Sequence, residues 1–165
     1  RDCLLSRGLG DVYKRQPPAD YTEKDLEIQR IVADAASNAD AAIEQFRIDE
    51  AISSIWTIVD ALNGYITANE PWALAKQANS GDEAQRGRLG TVLYTCAEGL
   101  RALAVLLSPV MPQSTEKLWV ALGAAESLGR LQDQPIREAG AWGALRPGTS
   151  VNGLSPLFPR VESNA

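Results

Sequence analysis

Pro71 is followed at once by Trp72, Lys76 comes one helical turn later on the same face, and Arg86 and Arg88 follow in the next loop and helix start. A flat indole with cations nearby is an arrangement that can stack an unpaired nucleobase and steady its phosphates, and such stacking contributes about 1–3 kcal/mol per base. The same ring could instead plug a corner between two helices, with the cations as ordinary solvated surface; the residues alone leave both readings open. Other chemistry has little to build on. The chain has no histidine, so the commonest general base and the commonest metal ligand are both missing. The carboxylate pairs Asp49/Glu50, Asp82/Glu83 and Asp25/Glu27 lie near expected helix starts, where the helix dipole and solvation account for them. Neither the Gly-Lys-Ser/Thr end of a phosphate loop nor a Gly-x-Ser-x-Gly elbow occurs. No catalytic or metal-binding residue is assigned.

The formal charge of −5 argues against broad electrostatic capture of nucleic acid, so any such partner must be held by a local basic patch and stacking. At 165 residues and 45% hydrophobic content the chain can bury a real core. No apolar run reaches the roughly 18 residues of a membrane span, no secretory leader is evident, and Cys3 and Cys96 are too few for a disulfide framework. Cys96 reads as a small buried thiol. A cytoplasmic protein without a membrane partner is expected.

The ring must be positioned by helices. Thr22 caps one that runs to about Gln45, with Asp25 three positions on, a stripe of Leu26, Ile28, Ile31, Val32, Ala35, Ala36, Ala39, Ala42, Ile43 and Phe46, and a solvated face of Glu23, Lys24, Glu27 and Arg30. The clearest period follows, from Ile48 through Ile52, Ile55, Ile58, Leu62, Tyr65 and Ile66. Trp56 and Asn63 flank that stripe, and Asn63-Gly64 implies a packing reason or the approach of another backbone. Asn69 is expected to cap the short helix that Pro71 opens. Asp82 begins a long helix to about Ser108, on which Gly90 and Gly99 permit close contact; Pro109 and Pro112 break it. Ser114 is expected to cap a helix through Leu122, with Gly123 as its stop. Trp56 and Trp119 read as core and Trp142 as an anchor for an irregular tail, whose final P-L-F-P-R-V-E is pressed on by Leu157 and Phe158. The expectation is an all-α antiparallel helical bundle over residues 19–123 with an irregular tail over 124–165 packing back on it. Residues 1–18 are assigned to a leader foreign to the fold or disordered. Setting aside 1–16 removes four basic and two acidic residues and leaves 12 basic against 19 acidic, a balance of −7.

The stretch N-G-Y-I-T-A-N-E-P-W-A-L-A-K, Asn63 to Lys76, resembles the Asn-x-Tyr…Pro-Trp-x-Leu-Ala-Lys segment of methionyl-tRNA synthetases. T-C-A-E-G-L-R-A-L-A-V-L-L-S-P-V-M-P, running on through T-E-K-L-W-V-A-L-G, is similar to that family's closing helices, and P-L-F-P-R-V-E resembles its Leu-Phe-Pro-Arg-Ile-Glu. The three matches keep their order from Thr22 to Glu162. The resemblance implies an anticodon-binding domain that recognises the CAU anticodon of methionine tRNA. It puts Trp72 on the first anticodon base, with Asn63, Lys76, Arg86 and Arg88 completing the expected contact set. It also implies ATP and Mg in the full-length enzyme but no cofactor here, and a catalytic domain in cis as partner. That domain's His-Ile-Gly-His and Lys-Met-Ser-Lys-Ser signatures are missing from this sequence, so aminoacylation by the chain alone is not expected. A second reading element, an Asn and an Arg on the preceding helix, would fall in residues 1–16; these contain no Asn, and nothing is assigned there. The alternatives are the corresponding domain of an isoleucyl or valyl enzyme, or a helical protein-interaction module with Trp72 buried.

Overall fold

The computed structural model describes residues 21–158. The leader and the Pro159–Glu162 end of the closing motif lie outside them. Among the described residues every regular element is helical. α1 (Glu23–Glu44) and α2 (Ile48–Asn69) form a hairpin, α3 (Pro71–Asn79) turns the corner, α4 (Glu83–Leu107) is the central helix, and α5 (Pro112–Ala121) and α6 (Ala124–Leu128) precede two short 3₁₀ turns, Leu131–Asp133 and Ile136–Glu138. α4 packs on α1, α2, α3 and α5, and the second 3₁₀ turn lies on α1.

Small residues set how closely these helices meet. Ala35, Ala36, Ala39 and Ala42 are buried on α1, facing a core that includes Ile55, Ile58, Leu62 and Val92. Gly99 of α4 sits against Leu62, where an added Cβ would lie 2.9 Å from the leucine methyls. Gly90 and Gly64 have open space instead, and α2 runs straight through Asn63-Gly64. Trp119 is fully buried and donates its indole N–H to the Gly129 carbonyl at 2.8 Å. α4 is long and apolar enough to cross a membrane by length and composition, although Glu98 and Arg101 interrupt its apolar run. It is mostly buried inside the bundle, and it carries the buried charges of Glu98 and Arg101.

Several expected element ends shift for local reasons. Asp82 caps α4 as expected, accepting from the Gln85 N–H at 3.1 Å. Ser114 does not cap α5: Met111 takes that place and Pro112 the first helical position, where its fixed φ and missing N–H fit. Gly123, at φ 68°, is the stop beyond α5. Trp56 is 53% exposed rather than core, and Leu26 and Ile48 are also exposed. Phe158 is exposed too, so it does not press the tail down. Trp142, partly buried against the core, does act as an anchor.

Phe46 ends the α1 stripe by leaving it. Its N–H donates to the Ile43 carbonyl and that of Arg47 to Ala42, both at 2.9 Å, the bond pair of a left-handed helix stop. Phe46 occupies the left-handed position at φ 59°, where glycine is usual, and is 90% exposed. Phe46→Gly is therefore expected to raise the unfolding free energy by about 1 kcal/mol, since a side chain at that φ is strained and this one packs on nothing. A urea midpoint unchanged or lowered by the substitution would refute the strain.

Candidate nucleic-acid interface

The corner carrying Trp72 is a one-residue connection. Glu70, between the end of α2 and the start of α3, is left-handed at φ 41°, ψ 62°. Its N–H closes α2 on the Ile66 carbonyl at 3.0 Å, and its own carbonyl opens α3 by accepting from Ala73 and Leu74 at 2.8 and 3.2 Å. Asn69 is the last residue of α2, not the cap of α3, because its side chain is engaged elsewhere. Its Nδ2 donates to the Tyr65 carbonyl at 2.9 Å and its Oδ1 accepts from Arg88 at 2.6 Å. Trp72 is 55% exposed, so its ring does not plug the corner.

Lys76 is exposed one turn further along α3 and forms no ion pair among the described residues. The two arginines are committed elsewhere. Arg86 donates to the Ala78 carbonyl at 3.2 Å and lies 3.3 Å from Glu83, which fastens the far end of α3 to α4. Arg88 turns inward and forks onto the fully buried Asp25 at 2.5 and 3.0 Å. Asn63 is exposed on α2 at a cleft of about 120 Å³, which it lines with Leu62, Ile66, Cys96, Leu100 and Leu103; no residue of the Trp72 corner borders that cleft. The structure thus puts Trp72 and Lys76 on α3, turns the Arg88 guanidinium onto Asp25 and Asn69, and places Asn63 at the α2–α4 cleft.

Asp25 is not the solvated first-turn residue its place suggested. It accepts from the Thr22 N–H and hydroxyl at 2.6 and 2.8 Å, from the Tyr65 hydroxyl, and from both ends of Arg88. Burial pushes its pKa up, but the bonds from Arg88, Tyr65 and Thr22 outweigh burial and hold it below the ordinary value. Burial and the adjoining Asp25 carboxylate push the Tyr65 hydroxyl well above its usual range. Burial would lower the Arg88 pKa, yet its bond to Asp25 prevails and raises it. The charge states of this cluster are therefore fixed around neutral pH. Burial, with Asp25 adding to it, pushes the Cys96 thiol up to about 12, so the cleft beside Asn63 holds no reactive thiolate.

The pattern of the family described as "Anticodon-binding domain of tRNA ligase" matches residues 25–147. The chain belongs to that family. This anticodon-binding domain is 41% identical over 157 residues to a methionine–tRNA ligase of Streptomyces coelicolor, covering 93% of this chain and 29% of the relative. A methionine–tRNA ligase of Caldanaerobacter subterraneus is 34% identical over 145 residues, covering 88% of this chain and 21% of the relative. The crystal structure of free-state methionyl-tRNA synthetase from Mycobacterium tuberculosis matches with a TM-score of 0.75 at 25% identity, over 96% of this chain and 32% of that one. The domain therefore spans a third or less of the length of these relatives. The helical architecture of the described residues matches the corresponding third of the Mycobacterium tuberculosis structure.

The Asp25–Arg88 pair escaped the sequence reading because its members stand 63 residues apart, with no local pattern linking them. The buried pair Glu98 and Arg101 did leave a signal. Two opposite charges at i,i+3 inside a long apolar helix require a partner, since neither can be left bare in a core.

Proposed function

We propose that this domain recognises the CAU anticodon loop of methionine tRNA, with Trp72 stacking on the first anticodon base and Lys76 meeting the adjoining backbone. The single observation that supports this reading is the half-exposed indole at a corner fixed by Glu70, on a domain whose family binds anticodons and whose relatives bear the name methionine–tRNA ligase. In this reading the domain works in the cytoplasm as the tRNA-holding part of a longer ligase. A catalytic part in cis carries out the ATP- and Mg-dependent aminoacylation. In this reading Arg88 is assigned to the bundle, its guanidinium engaged by Asp25 and Asn69, while Arg86 bonds the Ala78 carbonyl and surface Glu83 near the end of α3. Asn63 belongs to the reading only if the loop also reaches the α2–α4 cleft.

Titration with an anticodon stem-loop tests the proposal. Trp72→Ala is expected to weaken binding by about 5- to 150-fold, the loss of one base–indole stack. Exchange of the first anticodon base should weaken binding to the parent far more than to the variant, and this separates the methionine reading from the isoleucyl and valyl alternatives. A variant that binds as tightly as the parent removes Trp72 from the interface.

A further inference from the structure

We infer that Arg88 and Asn69 are positioning residues that hold the α2–α3 corner so that Trp72 faces outward, an inference that rests on the reading of Trp72 as a base platform. Three helices converge on one guanidinium. Arg88, on α4, forks onto Asp25 in the first turn of α1 and reaches Asn69 at the last position of α2. Asn69 in turn grips the Tyr65 carbonyl one turn back, while the Tyr65 hydroxyl donates to the same Asp25. The end of α2 is thereby tied to both α1 and α4 immediately before the chain turns.

The turn needs such a hold. A side chain at the φ of Glu70 is strained, and such a conformation persists only where its surroundings over-determine it. Only Pro71 separates that residue from Trp72, and the far end of the nine-residue α3 is fastened by Arg86 to the Ala78 carbonyl. The platform is thus short, fixed at both ends, and has its indole outside. Holding a contact residue in its bound geometry removes the ordering cost from the binding step. Arg88 therefore serves recognition without touching the ligand, and its planar fork, which lysine cannot reproduce, is the property that matters.

The test starts from Asn69→Ala in the whole chain, a change that leaves the Asp25–Arg88 pair in place and suits a helix end. The ¹⁵N spectrum of the free protein shows tryptophan indole N–H signals, and that of Trp72 is the one lost in Trp72→Ala. In Asn69→Ala that signal should shift or broaden while the signal of buried Trp119 stays; a Trp72 signal unmoved by the change overturns the inference without reference to tRNA. Affinity for the CAU stem-loop should fall by about 3- to 10-fold in Asn69→Ala, and by a similar factor in Arg88→Lys, which keeps the charge but loses the fork. In the Trp72→Ala background Asn69→Ala should cost nothing further. An equal loss in both backgrounds, or full binding by Arg88→Lys, refutes positioning while leaving the stacking role of Trp72 intact. Full binding by Trp72→Ala refutes the stacking role itself, and the inference with it.

Discussion

Arg101→Met is expected to lower the unfolding free energy by about 3–5 kcal/mol, a large share of the roughly 5–15 kcal/mol of a typical domain. Glu98 and Arg101 are both buried on α4, with Arg101 Nε 3.0 Å from Glu98 Oε2. The other Glu98 oxygen accepts from the Leu145 N–H at 2.6 Å, and Arg101 also donates to the Ala139 and Ala141 carbonyls at 3.0 and 2.6 Å. The pair thus satisfies the backbone of the tail where it has no helix or strand of its own. Tyr94 adds a bond to the Leu145 carbonyl at 2.9 Å. Methionine fills much of the arginine volume but leaves the buried Glu98 carboxylate without its counter-charge and the carbonyls of buried Ala139 and exposed Ala141 without that donor. The double variant Glu98→Gln/Arg101→Met should recover part of the loss, because the bare charge is gone while the tail carbonyls remain unpaired. Urea unfolding of the parent and the variants measures both effects, and a single-variant loss under about 1 kcal/mol contradicts the assignment. Limited proteolysis should cut Arg101→Met first between residues 139 and 145, since the contacts holding that stretch to α4 are the ones removed.

The tail also shows where reading the sequence stops working. α1, α2 and α4 are legible because a stripe at helical spacing is a local signal, and Thr22, Asp82 and Gly123 mark ends with chemistry confined to a few residues. Phe46 misleads because the stripe continues in phase through the turn that ends the helix; a left-handed stop without glycine gives no warning. Ser114 misleads because two residues compete for one helix start and the proline two places earlier prevails. Trp56 misleads because an apolar residue at the margin of a stripe can face either way. The corner at Trp72 was legible as a corner, and Pro71 as its first helical residue. That Arg88 faces inward was not, since its role depends on Asp25 meeting it across the bundle. A basic residue near a candidate site is read as a contact whenever its distant partner is invisible, and Arg88, whose partner stands 63 residues away, is such a residue.

Asp25→Asn is expected to cost about 3–5 kcal/mol at pH 7 and to flatten the acid limb of the stability curve. The carboxylate is fully buried and accepts from Thr22, Tyr65 and Arg88 together. An asparagine amide in its place turns two donor hydrogens toward groups that are themselves donors, and leaves the half-buried Arg88 guanidinium without its counter-charge. The pH dependence follows from the direction of the Asp25 shift. Its pKa is lower in the folded chain than the ordinary 3.8, so the unfolded chain binds the extra proton first as the pH falls. The contribution of Asp25 is therefore fully present above that ordinary value and is lost as the pH drops through the lower folded one. Tyr65, its pKa raised by burial and by Asp25, stays protonated throughout this window and keeps donating. Urea midpoints of parent and variant should lie far apart at pH 7 and draw together below about pH 4. Parallel curves across that range would mean that the Asp25 carboxylate is not the group holding α1, α2 and α4 together at the foot of the Trp72 corner.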